Sequence, residues 1–190
     1  MKNNKIVLGL AGEIASGKDT VAQYLEKTHR GGTISFSRPL RDILDRLALP
    51  QTRENMAWLG TDLRAKFGQD LLAKAITAEV QKSKKRIITL PNVRLESDIK
   101  YLKKLPGFHL VRLDADTKIR YQRLLKRGQN PDDKTKTWQQ FLKDSKLPTE
   151  LAIRKVAKKA KYRLDNNGDF KNLYRQIEKL LKTLKLKTKN

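Results

Sequence analysis

The stretch GLAGEIASGKDT, residues 9–20, decides the fold prediction. It contains the spacing G-x-x-x-x-G-K of a phosphate-binding loop, with Gly12, Gly17 and Lys18 in the required places. It follows the apolar run KIVLGLAG (5–12), which is typical of a strand buried on both faces, and it opens a segment that reads as a helix over 18–28. Glycines let backbone N–H groups point at phosphate oxygens, and the helix N-terminus and the lysine add positive charge. The residues that we predict to bind ATP here are Gly12, Glu13, Ile14, Ala15, Ser16, Gly17, Lys18, Asp19 and Thr20, with a catalytic role for Lys18.

Asp19 stands where the usual pattern has a serine or threonine, and Thr20 comes one residue later. The ordinary hydroxyl supplies one oxygen ligand to Mg²⁺, and a carboxylate oxygen can do the same. Without a metal, the Asp19 carboxylate would repel the triphosphate. We therefore predict a Mg²⁺ site at Asp19, assisted by Thr20, and a strict dependence on that metal.

Helix-like and strand-like segments alternate along the rest of the chain. Four more strands are predicted in TISF (33–36), RIITL (86–90), HLVRLDA (109–115) and YRLDNNG (162–168). Strands interleaved with helices predict an α/β fold of three layers, with a five-stranded parallel sheet covered on both faces. In such sheets, ligands bind at the carboxyl ends of the strands.

We expect the 190 residues to form a single domain. Its core would take in residues 1–50 and 84–190, with a helical acceptor-binding segment at about 38–82 and a lid at about 123–150. The polar loop 128–137 is predicted to be mobile. Ser37 and Asp116 are expected to cap the helices after them, Trp58 and Trp138 to lie in the core, and Phe67 and Phe170 to belong to apolar helix stripes.

The charge balance is strongly basic: 43 Lys and Arg face 20 Asp and Glu, a formal net charge of +23. Such a field attracts polyanions, so nucleic acid is a candidate partner, although no recognisable nucleic-acid motif supports it. The lack of cysteine excludes disulfides and thiolate metal sites. No apolar run has the length of a signal peptide or a membrane span, so we expect a cytoplasmic protein with no membrane partner and leave its oligomeric state open.

The order of these segments resembles that of the P-loop kinases of small phosphorylated metabolites, in particular the nucleoside and deoxynucleoside monophosphate kinases and dephospho-CoA kinases. SGKDTVAQYL (16–25) looks like a variant in which GKD replaces GKS or GKT. FSRPLRDIL (36–44) resembles the segment that approaches the acceptor phosphate, and PNVRLESD (91–98) lies where the group has D-G-x-R-x-x-E. RYQRLLKRG (120–128) is similar to the helix that leads into the lid, and YRLDNNG to the turn beside the base.

The resemblance implies an ATP- and Mg²⁺-dependent kinase whose acceptor is a small phosphorylated molecule. It assigns Arg38, Arg41 and Arg94 to the acceptor and Asn167 to the nucleotide. Arg123 and Arg127, four residues apart on one helix face, would clamp the transferring phosphoryl group. Arginine suits this work because its planar guanidinium donates two hydrogen bonds to a phosphate.

The sequence departs from the group at the third strand. The family aspartate that holds the water shell of Mg²⁺ falls on Pro91, its glycine on Asn92, and Ala15 replaces a glycine inside the loop. This departure leaves two alternatives open: a catalytically weak ATP-binding regulator, or, from the charge, a nucleic-acid-stimulated ATPase. No general base stands out, which favours a monophosphate acceptor such as a nucleoside monophosphate over dephospho-CoA.

Other polar residues receive structural interpretations. His29 and His109 have no carboxylate motif around them and are expected to be structural. Asp114 could approach the metal, Glu13 is expected at the surface although it lies in the loop, and the basic cluster RKVAKKAKYR (154–163) is read as a solvated helix face.

Overall fold

Strand β1 (Ile6–Ala11) lies at the centre of a five-stranded parallel sheet in the computed structural model of the chain, which describes residues 5–127 and 133–187. The strand order is β2-β3-β1-β4-β5. The chain leaves β1 toward the β2 edge and leaves β4 toward the β5 edge, so the loop after β1 lies where the direction of the connections reverses. In open parallel sheets, this is the point at which ligands bind.

The predicted α/β fold is confirmed, with all strand pairs parallel. The other strands are β2 (Gly32–Thr33), β3 (Ile87–Pro91), β4 (Phe108–Asp114) and β5 (Tyr162–Asp165). The helices of the described segments are α1 (Lys18–His29), α2 (Arg38–Arg46), α3 (Arg53–Phe67), α4 (Leu71–Lys82), α5 (Glu96–Leu102), α6 (Thr117–Arg127), α7 (Trp138–Asp144), α8 (Pro148–Lys158) and α9 (Phe170–Lys187).

Alternate residues of β1 supply the two hydrophobic layers, as the period of two in a strand requires. Leu8 packs with α1 and α9 on one face, through residues such as Leu25 and Ile177. Val7 packs on the other face, with residues from the helices between β2 and β4 and from α8. Because both faces are covered, β1 is buried along its whole length.

Several local predictions are wrong. β2 has only two residues, Gly32 and Thr33, of which the predicted TISF strand contains the second. The Ser37 side chain does not cap α2, because its hydroxyl pairs with that of Ser35 at 2.8 Å. Trp58 has 52% of its surface exposed, and Phe67 and Phe170 are similarly exposed at helix ends. Apolar spacing alone did not reveal that these three rings lie at the margin of the core.

The predicted lid, about 123–150, takes in the second half of α6, all of α7 and the start of α8, and residues 128–132 of its polar loop lie outside the described part of the chain. Tyr121, Trp138 and Phe141 form an aromatic cluster between α6 and α7, with ring centroids 5.2–6.0 Å apart. Phe141 is buried and Trp138 half-buried. The division into core, acceptor segment and lid stays a prediction.

Within residues 5–127 and 133–187, no helix has both the length and the apolar character needed to cross a bilayer.

Candidate functional site

The loop between β1 and α1 has the backbone conformation that its glycines were predicted to provide. Gly17 lies immediately before α1 with φ at 101°, a left-handed conformation that glycine adopts without strain. A Cβ atom at Gly12 would lie 2.6 Å from Ser16 Oγ and 2.7 Å from Leu113 O. Both glycines are therefore required by the packing of the loop as well as by its turn.

Lys18 begins α1 and turns its ammonium group back into the loop. Its Nζ donates to the carbonyl oxygens of Gly12 at 2.8 Å and Glu13 at 2.9 Å. Burial lowers the pKa of Lys18 to about 8, while the nearby carboxylates of Glu150 and Asp19 act in the opposite direction. A buried cation that is held by carbonyl dipoles beside a helix N-terminus is suited to receive a strong anion.

Asn166 is a site residue that the sequence analysis missed. It is buried, and its Nδ2 donates to Ser16 O at 2.8 Å. A Cβ atom on Gly17 would approach the same nitrogen to 2.1 Å. The turn after β5 thus supports the loop through Asn166. The strand alternation contained this signal, because Asn166 is two residues from the buried Leu164.

Asn167, the predicted nucleotide ligand, lies beside this contact. Its Oδ1 accepts the Asp116 N–H at 2.6 Å and its Nδ2 donates to Asp165 Oδ1 at 2.7 Å. Its role in nucleotide binding stays a prediction.

Glu13 was expected to be exposed at the surface. In the structure it instead forms ion pairs with two arginines. Its Oε1 accepts from Arg120 Nη2 at 3.2 Å and from Arg154 Nη2 at 2.7 Å. Arg120, on α6, is only 2% exposed and lies over the Phe141 ring at 5.5 Å. Arg154 comes from α8, so part of the basic cluster 154–163 is not a solvated face. Glu13 therefore joins the loop to helices α6 and α8.

Asp19 has the exposure that a metal ligand of this kind needs. Its side chain is 54% exposed at the start of α1, and Oδ2 lies 3.9 Å from Arg127 Nη1. Arg127 also lies 3.9 Å from Asp133, a buried carboxylate at the end of the polar loop. Among the described residues, no group of three or more His, Asp or Glu side chains could hold a metal by itself. One carboxylate with a hydroxyl at Thr20 nevertheless fits Mg²⁺, which keeps several waters and takes further oxygens from substrate phosphates.

The other predicted arginines differ in their placement. Arg94 is exposed, and its charge contributes to lowering the pKa of Lys18. Arg38 pairs with Glu79 at 2.8 Å, and Arg41 donates to Gln51 at 2.5 Å. Of the three arginines predicted to bind the acceptor, Arg94 is therefore the one whose charge acts on Lys18.

Arg123 also belongs to the site. Its Nη2 contacts Asn166 Oδ1 at 3.5 Å, its Nη1 is buried without a hydrogen-bond partner in the described residues, and burial lowers its pKa. Arg123 thus places a buried donor without a partner among the described residues next to Asn166, the residue that supports the loop.

The departures from the kinase pattern have visible structural consequences. Pro91 is the buried last residue of β3 and offers no side-chain oxygen. Asn92 and Ala15, which replace expected glycines, have φ of 65° and 59°. Asparagine tolerates this conformation, whereas alanine is strained by about 1–2 kcal/mol. The backbone keeps the glycine geometry although the glycines are gone.

A cavity of about 790 Å³ lies beside the loop, between the ends of β4 and β5 and helices α6 and α7. It borders the loop at Glu13, and Asn167, Trp138 and Lys118 also line it. Its size suits a nucleoside, but it adjoins the Lys18 cradle and does not contain it.

Two further residues, Asp114 and His29, are held in structural contacts. Asp114 pairs with Arg112 and with Arg163, so the structure gives it no open position toward a metal. His29 bonds Glu178 at 2.6 Å, in line with its structural interpretation.

Comparison with known protein sequences identifies distant relatives of the chain. No model of a known protein family matches the chain. A UPF0200 protein of Pyrococcus abyssi is 24% identical over 184 residues, which cover 94% of this chain and 97% of the relative. A UPF0200 protein of Pyrococcus horikoshii is 27% identical over 182 residues, with 93% and 96% covered.

Solved structures resemble the chain over almost its whole length. They include TT1252 from Thermus thermophilus, with a TM-score of 0.59, 19% identity and 95% and 98% of the two chains covered. Shikimate kinase from Bacteroides thetaiotaomicron has a TM-score of 0.55, 16% identity and 94% and 98% covered. A gluconokinase from Sinorhizobium meliloti 1021 has a TM-score of 0.52, 12% identity and 98% and 99% covered. At these identities, the similarity establishes a kinase-like P-loop fold.

Proposed function

We propose that this chain is an ATP- and Mg²⁺-dependent phosphotransferase that acts on a small phosphorylated acceptor. The observation that carries the proposal is the loop after β1. Lys18 is turned into it, Gly17 forms the left-handed turn immediately before α1, and Asn166 supports it. Its resemblance in fold to shikimate kinase and gluconokinase is in keeping with phosphoryl transfer.

The residues of the loop would bind and orient the nucleotide. Its N–H groups and the N-terminus of α1 would hold the phosphates, and Lys18 would exchange its carbonyl partners for phosphate oxygens. Asp19 and Thr20 would hold the Mg²⁺, which neutralises charge that develops on the phosphates. Arg127 lies 3.9 Å from Asp19, and to contact the transferring group it would have to move away from this carboxylate, which would then be free to hold the Mg²⁺.

The acceptor would bind on the side of Arg94, and Arg123 would help to stabilise the transferring phosphoryl group. A phosphate oxygen on the acceptor needs no proton removed, so a nucleoside monophosphate requires less of this site than dephospho-CoA does. We therefore favour a nucleoside monophosphate-like acceptor.

A panel assay tests this proposal. ADP release is measured with ATP, Mg²⁺ and each of the common ribo- and deoxynucleoside monophosphates, dephospho-CoA and acceptor-free controls, with Lys18→Ala as the inactive control. Acceptor-dependent release that Lys18→Ala abolishes supports a kinase. Equal release with and without every acceptor contradicts it.

A second candidate is a nucleotide-binding regulator with little turnover, which Pro91 favours because it puts no carboxylate at the end of β3. The same panel separates the two, since a regulator binds ATP in titration calorimetry and releases no ADP with any acceptor.

The hypothesis of a nucleic-acid-stimulated ATPase is based on the net charge alone. It predicts ATP hydrolysis that rises with added RNA or DNA and falls steeply with salt.

A further inference from the structure

Glu150 places a carboxylate against the loop from a distant part of the chain. It lies in the first turn of α8, and its Oε2 accepts the backbone N–H of Ile14 at 3.2 Å. The two residues are 136 positions apart. A loop N–H that points inward is a group that a phosphate oxygen would otherwise accept.

The carboxylate also lies among the cations of the site. Of the neighbouring charges, Glu150 has the largest effect on Lys18 and acts to keep it protonated, and it stabilises the charged form of Arg120 as well. Glu150 thus combines a hydrogen bond from a loop N–H with electrostatic effects on a buried lysine and a buried arginine, as a bound anion would.

Glu150 is not needed to hold α8 in place. Arg154 on the same helix bonds Glu13 at 2.7 Å, and Lys159 just after it bonds Glu96 at 2.9 Å. The buried residues of α8, Ile153, Val156 and Ala157, anchor it to the sheet. Anchoring therefore leaves the position of the Glu150 carboxylate unexplained, and this carboxylate would repel a phosphate placed on Ile14 N–H.

We infer that Glu150 is a specificity-determining residue: its carboxylate occupies the phosphate cradle of the free protein, and the terminal phosphate of a nucleoside triphosphate displaces it. This inference rests on the proposed function. Ile14 lies in the first half of the loop, four residues before α1 begins, so its N–H is assigned to the terminal phosphate and the amides nearer α1 to the preceding one. A ligand that lacks the terminal phosphate leaves Glu150 in place, so the cradle selects triphosphates over diphosphates and monophosphates.

The test compares Glu150→Gln with wild type in calorimetric titrations with the Mg²⁺ complexes of a non-hydrolysable ATP analogue and of ADP. Glutamine retains the shape and an acceptor oxygen for Ile14 N–H, so a loss of folding is not expected, and thermal unfolding checks this. Because a charged hydrogen bond is given up when the ligand enters, we expect the variant to bind the ATP analogue roughly tenfold tighter and ADP less than threefold tighter. Glu26→Gln, on the exposed face of α1, makes the same change in net charge and should alter neither affinity.

Two results would overturn the inference. Unchanged or weaker binding of the ATP analogue by Glu150→Gln is one, and if turnover in the acceptor assay also falls at least a hundredfold, Glu150 acts in catalysis instead. An equal gain for ADP and the analogue is the other, since it would indicate a general charge effect. In both, wild type binds the analogue and the proposed nucleotide site stands, whereas failure of wild type and variant to bind any nucleotide contradicts both proposals.

Discussion

The contact between Glu13 and Arg120 provides a quantitative test of how the loop is held. Glu13→Gln keeps the size of the side chain but removes the carboxylate that faces a guanidinium only 2% exposed. Removing one partner of a buried ion pair costs about 3–5 kcal/mol. Glu13 itself is 24% exposed, and glutamine still accepts one hydrogen bond, so water and the amide reduce the penalty to about 2–3 kcal/mol. For a domain of this size, that corresponds to a fall of about 5–10 °C in Tm.

The measurement is urea unfolding of wild type and variant, with Tm as a second readout. Arg154→Gln is the matched control. It removes the other partner of the same carboxylate, but its side chain is 40% exposed, so the loss should stay within about 1 kcal/mol. If Glu13→Gln unfolds within about 0.5 kcal/mol of wild type, or if Arg154→Gln is as damaging, the burial of Arg120 does not make this pair essential.

Three further predictions concern the cradle. Burial lowers the pKa of Lys18 to about 8, so between pH 8 and 10.5 the unfolded state binds more protons than the folded state. As the pH rises through this range, the free energy of unfolding of the free protein should therefore increase by up to about 3 kcal/mol relative to Lys18→Met. Parallel pH profiles of the two proteins in urea unfolding would refute this. Asn166→Ala removes the hydrogen bond to Ser16 O and should weaken ATP binding about fivefold to tenfold in calorimetry, with Asn172→Ala, at an exposed position of α9, close to wild type. Asp19→Asn should weaken the binding of the Mg²⁺–ATP complex while metal-free ATP binds as well or better, and an equal loss with and without metal would show that Asp19 is not the metal ligand.

The fold could be predicted because its signals are local. Each buried strand is a short apolar run, and the loop after β1 combines two glycines and a lysine at a fixed spacing. The margins of the core were not predictable in this way. Trp58 and Phe67 have helix-like apolar spacing, yet whether a ring is covered depends on which helix packs across it, and α3 buries Leu59 while leaving both rings exposed.

Two site residues carried a signal in the sequence that a closer examination could have used. Arg120 lies four residues before the buried Leu124, on the same helix face, so an arginine stands within an apolar stripe. Such a residue is buried only with a carboxylate partner, and Glu13 in the loop supplies it. The second is Asn166. The alternation of β5 continues from the buried Leu164 and therefore predicts that Asn166, and not the adjacent Asn167, is buried.

The contacts of α8 with the loop could not be predicted from spacing, because they join residues more than 130 positions apart. Within two turns of one helix, Arg154 binds the Glu13 side chain and Glu150 binds the Ile14 N–H. The Arg154 cation thus binds a side chain of the loop, and the Glu150 carboxylate binds a backbone N–H of the loop. Burying Lys18 in a free protein is costly, and the Glu150 carboxylate offsets that cost until phosphate arrives. Without Glu150, the lysine would keep its carbonyl partners and the smaller effect of Asp19, so the same residue that delays the nucleotide also helps to keep the lysine charged before the nucleotide binds.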